Sequence, residues 1–409
     1  MSNQKPKQTP AQVWKEYQAG VAYNTRIGLY EQVKKNENFY IGKQWEGLNA
    51  PDLNKPVVNV LKRVVSYFIS MIVSDDVGAS FTPFIEDTNG KLASKIITNA
   101  VDEVVEIADI KAKSRKIIRD AAVDGDGFLY FYFDPDAETG QEVKGQIMAE
   151  VLPNINVIYG NPYSDDLQKQ PYVLLVMRKT VESVREEAKE WGQDPDTIFE
   201  DDDTNQYDVA GASQNGLVTV ILKLWRENGK IHAIKTSKGA VIRPEWNTEY
   251  SRYPLACMRW EDIKNSYHGE AALSSMIPNQ ISINQLFAMS IHSVKSTAFP
   301  KIVFDTTKIK AWSNKVGQAI GVVGNPNDAI YSGFRAPDMS GQVMDLIERL
   351  TQKTLEFMGA SDAALGNVNP ENTSAILAIQ EASRMPLLLV KSALYQCIED
   401  VAQIWADMM

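Results

Sequence analysis

The stretch from Ala271 to Ala298 (AALSSMIPNQISINQLFAMSIHSVKSTA) constrains the fold of this chain more than any other. It carries one charged residue, Lys295, and one histidine, His292, and it has no Gly or Pro after Pro278. That pattern predicts a helix stopped from outside by Pro300. Small residues recur at Ser282, Ala288, Ser290, Ser293, Ser296 and Ala298. A helix without a polar face is normally buried on several sides. In a monomer it would be a central core helix, and in an assembly it would pack between neighbouring copies.

The residues after this helix form a short, β-rich module, 299–338, with apolar runs at Lys301–Asp305 and Ala319–Val323 and turn residues between them. Its five bases (Lys301, Lys308, Lys310, Lys315, Arg335) against three acids (Asp305, Asp328, Asp338) leave it at +2. Gly317, Gly321 and Gly324 lack the spacing and the following helix of a dinucleotide fingerprint. A second helix, capped by Ser340, runs through SGQVMDLIERLTQKTLEFMG to a stop at Gly359. Asp345, Glu348, Gln352 and Glu356 recur on it at spacings of three and four, with Arg349 and Lys353 beside them as candidate salt-bridge partners. A thirteen-residue polar loop, 360–372, is long for a plain interhelical connection. The last helix is expected from Thr373 to the end, kinked at Pro386, with an apolar seam at Leu387, Val390, Leu394, Ile398, Val401, Trp405 and Met408. From Met339 to Met409 nine acids stand against four bases, a net of −5.

Upstream, Met1–Pro10 reads as a flexible arm and Gln12–Phe39 as one surface helix with Val13, Tyr17, Val21 and Asn24 along a side. Trp45 and Pro51–Pro56 mark an irregular crossing before an apolar helix, Val60–Val73, too short to span a membrane. Helices are expected at Leu92–Ala108 and Ile110–Asp124, the latter with a basic cluster (Lys111, Lys113, Arg115, Lys116, Arg119) read as a solvated or salt-bridged face. Asp124-Gly125-Asp126-Gly127 lacks the later ligands of a calcium loop and reads as a helix-to-strand turn into the alternating FLYFYF run. Strands follow at Gln146–Leu152, Val157–Tyr159, Tyr172–Lys179, Leu217–Glu227 and Lys230–Lys235, the last two joined by the hairpin dipeptide Asn228-Gly229. A helix, Val181–Trp191, precedes an acidic insertion, Asp194–Gln214. Its Glu200-Asp201-Asp202-Asp203 run reads as an exposed peripheral loop rather than a cation site. The fold class is therefore α+β, with a meandering, mostly antiparallel sheet.

The order of these pieces resembles that of the phage portal proteins. Phe39-Tyr40-Ile41-Gly42-Lys43-Gln44-Trp45, then Lys55-Pro56-Val57-Val58-Asn59-Val60, is similar to the start of a portal wing. Tyr253-Pro254-Leu255, Gly269 and Gln280–Asn284 are similar to the approach to a first stem helix, and Asn372-Thr373-Ser374-Ala375-Ile376-Leu377 to a tunnel-loop exit, with Ala375 where the family often has Gly. The resemblance implies an arm and wing at 1–268, a stem helix at 269–298, a clip at 299–338, a second stem helix at 339–359, a tunnel loop at 360–372 and a long kinked wing helix at 373–409 with little or no crown. It implies that Asp345, Glu348, Gln352 and Glu356 face a channel. It assigns Asp362, Leu365, Gly366, Asn367, Asn369 and Asn372 to the loop at its narrowest point. Lys308, Lys310, Lys315 and Arg335 then form a docking surface on the clip. The implied partners are eleven further copies in a twelve-membered ring, double-stranded DNA, terminase, head-completion or adaptor proteins, the major capsid protein and a scaffolding protein. The implied place is the capsid portal vertex of a virion, assembled in the host cytoplasm.

Composition limits the alternatives. A net charge of −10 over 409 residues disfavours a tight grip on nucleic acid, since affinity for duplex comes mainly from Lys and Arg on phosphates. It is compatible with a wall past which DNA slides. Two cysteines, Cys257 and Cys397, form no disulfide framework or metal-ligand spacing and suit a reducing compartment. No P-loop, nucleophile elbow or zinc motif is present, and His232, His268 and His292 lie in unrelated sequence contexts, so no catalytic, metal or cofactor residue is assigned. An adaptor or other virion structural protein is the alternative reading, and a DNA-processing enzyme a weaker one.

Overall fold

Five strands form one antiparallel meander: β3 (Val157–Tyr159), β4 (Tyr172–Thr180), β5 (Leu217–Glu227), β6 (Lys230–Thr236) and β7 (Val241–Asn247), in that spatial order. These belong to a computed structural model that describes residues 8–51, 53–73, 80–83, 87–138, 144–201, 216–298, 301–311, 313, 319–334, 340–360, 385 and 387–409. The β5–β6 turn has both central residues at positive φ, Asn228 at 50° and Gly229 at 80°, as a two-residue hairpin requires. Alternation sends Leu174, Val176, Ile221 and Ile234 to one face and Val173, Leu175, Leu222, Leu224 and Ala233 to the other. The helix α1 (Pro10–Arg26) covers the first face with Val13 and Tyr17. Lys223 on that face is buried, its charge met by Glu16 of α1 at 2.5 Å.

The single helix expected over Gln12–Phe39 is two. Gly28 adopts φ +73°, a left-handed conformation that ends α1 and starts α2 (Leu29–Ile41) in a new direction. Helix α1 lies at the surface as expected, with its apolar stripe at Val13 and Tyr17 packed on the sheet.

The second sheet has three strands, ordered β2 (Gln146–Pro153), β1 (Asp126–Asp134), β8 (Leu255–Arg259), and the short β9 (Glu261–Asp262) and β10 (Gly269–Glu270) pair with each other. Its Phe128, Leu152 and Leu255 meet the five-stranded sheet, while Leu129, Phe131, Ile147, Ala149, Ala256 and Met258 meet the helices. Those helices are α3 (Val60–Val73), α4 (Thr88–Ile107), α5 (Ile110–Asp124) and the last, α9 (Leu387–Met408), whereas α6 (Val181–Glu190) packs on the five-stranded sheet. The α9 seam is buried at Leu387, Val390, Leu394, Val401 and Trp405. Trp405 stands edge-on to Phe131 at 5.6 Å, a pairing that contributes about 0.5–1.5 kcal/mol beyond area burial. Helix α5 has its expected bounds, while β1 begins at Asp126, so the second Asp-Gly of the expected turn already belongs to the strand. A Cβ at Gly125 (φ +104°) would lie 2.3 Å from the Gly269 carbonyl oxygen, so only glycine permits this approach.

Strands β7 and β8 are not apparent from the sequence. Pro244 argues against β7, and its place at the sheet edge removes the objection. In α5, Arg119 is salt-bridged to Glu37 and Asp120, and Lys113 donates to the Ala108 carbonyl. The acidic run departs from expectation at Asp201. Its carboxylate is largely buried, is paired with Arg178 and accepts from the Thr219 N–H at 2.8 Å. No helix among the described residues is long and apolar enough to cross a membrane. The chain is an α+β protein.

Candidate functional site

Helix α7 (Ile277–Ala298) starts later than the sequence suggests. A 3-10 turn, Ser274–Met276, precedes it, and Pro278 sits in its first turn, where a missing N–H is tolerated. Its first half is anchored by two buried amides. Gln280 accepts from the Val60 N–H (3.0 Å) and donates to the Val58 carbonyl (2.6 Å). Asn284 accepts from the Val58 N–H (3.2 Å) and donates to Gln44 (2.5 Å). Asn59 caps α3 through the Lys62 N–H and donates to the Phe39 and Tyr40 carbonyls, while the Trp45 indole donates to the Pro56 carbonyl. Three separated segments, around 39–45, 55–60 and 280–284, thus lock together. Backbone groups buried at the start of α3 would otherwise be unsatisfied.

The second half of α7 is different. Met289 and Val294 are 61% and 53% exposed, although the helix has almost no charge. Helix α8 (Ser340–Phe357) packs antiparallel in sequence sense beside it and buries Ile347, Thr354 and Leu355. Asp345, Glu348, Gln352 and Glu356 all lie exposed on α8. Asp345 is 3.6 Å from Arg349 and Glu356 is 2.6 Å from Lys353, each on the same helix. These exposed pairs contribute little, on the order of 0.3–0.5 kcal/mol each. Leu346 and Phe357 are exposed on α8 as well.

Between the two helices, β11 (Lys301–Phe304) pairs antiparallel with β12 (Ile330–Phe334) in a sheet of their own. The run Ala319–Val323, expected as a strand, is irregular. Gly321 and Gly324 weaken it, and the Val323 N–H bonds to the Lys308 carbonyl instead of a ladder. Ile309 and Ala329 are buried as a small core. Thr307 donates to Asp305 through its N–H and hydroxyl, which holds that carboxyl below its usual range. Lys308 is turned inward onto the Asp328 carbonyl (3.1 Å) and Asp305 (3.8 Å), so it belongs to the module's own structure. Lys310 is exposed. Lys315 and Arg335 lie outside the described residues, as do Asp362, Leu365, Gly366, Asn367, Asn369 and Asn372 of the loop, the run to Leu377 and Pro386.

Two histidines sit in settings the sequence does not betray. His268 is buried, its Nδ1 2.9 Å from Asp126 and its Nε2 3.4 Å from Asn24, and Asn154 donates to the other Asp126 oxygen. Tyr267 beside it stacks on Tyr159 at 4.4 Å. This network ties α1, the α5–β1 turn and the approach to α7. His232 lies with Glu227 and Glu245 on one face of the β5–β6–β7 ribbon, their ligand atoms within 4.8 Å of one another. Donors around one zinc ion stand closer, roughly 3–4 Å apart, so a metal would require side-chain rotation. Adjacent carboxylates and an imidazole also suit an ordinary ion pair, and His232 is 3.5 Å from Glu245. The two cysteines are free, and burial pushes the Cys397 thiol up to about 12, which makes it a poor nucleophile. The chain matches no protein-family model and no curated protein.

Proposed function

We propose that the chain is a portal subunit, which closes with copies of itself, twelve by the resemblance, into a ring at one capsid vertex. The ring conducts double-stranded DNA inward during packaging and outward during ejection. It docks terminase and head-completion proteins and contacts the major capsid protein, and it carries no catalytic step of its own. The observation that carries this reading is the α7–β11/β12–α8 hairpin. One helix is nearly uncharged yet exposes Met289 and Val294, and the other presents Asp345, Glu348, Gln352 and Glu356 to solvent. An apolar flank calls for a partner surface. An exposed acidic face suits a wall that does not hold phosphates.

Negative-stain imaging and mass photometry of the purified full chain test the reading. Closed rings with a central opening of about 20 Å or more, enough for B-form duplex, are expected. A folded species that stays monomeric at micromolar concentration rejects it, and a ring too narrow for duplex favours an adaptor or another virion structural role.

A further inference from the structure

A cleft of about 740 Å³ lies between the two sheets, within the size range of ligand sites. One wall is the five-stranded sheet, with Met177, Lys179, Lys235 and Arg243. The other is β1, with Tyr130 and Tyr132, whose rings stack on one another at 5.7 Å. Arg243, on the edge strand β7, has its guanidinium clamped between two indoles, 3.9 Å from the Trp191 ring and 3.7 Å from the Trp246 ring. Its Nε is buried and meets no acceptor among the described residues. Glu187, the carboxylate whose charge acts on Arg243, is already taken by Lys235 and Lys179, and Arg178 is taken by Asp201. Clamped cations normally spend their donors on a carboxylate or carbonyl. Here the ring faces hold the fork in place and leave its edge unspent.

We propose that this cleft receives an acidic residue flanked by apolar side chains on a partner polypeptide, its carboxylate held by Arg243. Charge favours a single carboxylate over a phosphate. The sheet wall has three cations near one free face, Lys179, Lys235 and Arg243, against Glu187, while the β1 side brings Glu150 and Asp136 to the same cleft. With Arg178 taken by Asp201, three bases stand against three acids, so the cleft is neutral overall and repels a dianion more than the single carboxylate that the unspent donors of Arg243 can pair. The Tyr130 hydroxyl, which burial keeps protonated, lies close enough to Arg243 to feel its charge and supplies a second donor. The aromatic faces of Tyr132, Trp246 and Tyr250 offer contact area to apolar neighbours of the acid. Pro244 beside Arg243 interrupts the edge of β7, so the peptide is recognised through its side chains rather than by extending the sheet. The inference rests on the cleft alone and stands whether or not the chain closes into rings.

The test is calorimetric titration of the full chain with three probes: acetyl-Phe-Glu-Phe-amide, its Gln counterpart, and adenosine monophosphate. The Glu peptide is expected to bind saturably and at least tenfold more tightly than the Gln peptide, a gap that closes as salt is raised. Arg243→Met is expected to bring the Glu peptide down to the Gln level, Arg243→Lys to fall between, and Lys95→Met, exposed on α4 away from the cleft, to change nothing. Equal affinity for the two peptides, or no saturation into the millimolar range, overturns the proposal. Arg243-dependent binding of the nucleotide in place of the Glu peptide overturns it as well. Should Arg243→Met fail to fold, the Glu-to-Gln comparison on the unaltered chain decides by itself.

Discussion

Asp124 ends α5 in a crowd of acids. Burial and the neighbouring Asp120 push its carboxyl up to about 8, and its Oδ1 has no hydrogen-bond partner among the described residues. Arg119 offsets this only in part, being committed to Glu37 and Asp120. Because the folded-state value exceeds the unfolded one, the folded chain holds the proton more tightly. The resulting stability is fully present below about pH 4 and is lost as pH rises toward about 8. We expect thermal stability to decline across that window by on the order of 2–4 kcal/mol, shared with Asp120, whose carboxyl burial also raises. Asp124→Asn should flatten most of the decline and raise the melting temperature near pH 8. Parallel pH profiles for the variant and the parent would show that this carboxyl is ionised in the fold.

At the scale of elements, the α8 stripe was legible because a period near 3.6 needs no tertiary context: acids three and four apart share a side wherever the helix goes. What they face depends on neighbours, and in the chain as described they face solvent, with Asp345 and Glu356 lightly paired to Arg349 and Lys353. Converting Asp345, Glu348 and Glu356 to Lys should leave the fold intact, within about 0.5 kcal/mol per exposed site. If these residues line a channel, assembled variant rings should retain duplex DNA at low salt and release it as salt rises, since each phosphate contact releases counterions. Retention equal to the parent at low salt would assign the stripe to an outer surface. The break at Gly28 and the strand at Val241–Asn247 were not legible, for a related reason. A mid-helix Gly or an edge Pro is tolerated or disruptive according to what packs beside it.

For the whole molecule, the central question is what covers the second half of α7. Met289 and Val294 are as exposed as polar surface residues, on a helix whose one charged side chain is Lys295. Met289→Asp with Val294→Asp should leave circular dichroism and melting of the single chain nearly unchanged, because neither side chain contributes core. The same pair should abolish self-association measured by mass photometry. If the double variant assembles as the parent does, the contacts between copies lie elsewhere.

The amino-acid sequence alone determined the α+β class, the bounds of α3 and α5, the β3–β6 strands with their Asn-Gly turn, and the order helix, β-module, helix near the end. Each follows from a local rule: hydrophobic period, turn chemistry or a cap. Tertiary structure decided what local rules cannot see. Gln280 and Asn284 read as ordinary helix polars until the fold brings them against the backbone of Val58 and Val60. Lys308 read as a free surface charge, and the β11–β12 turn draws it inward. His268 and Asp126, 142 residues apart, become a buried pair only when Gly125 and Gly269 let two backbones touch. Such pairs form between residues distant in the chain, where burial sets the worth of a hydrogen bond, and no period or spacing encodes them.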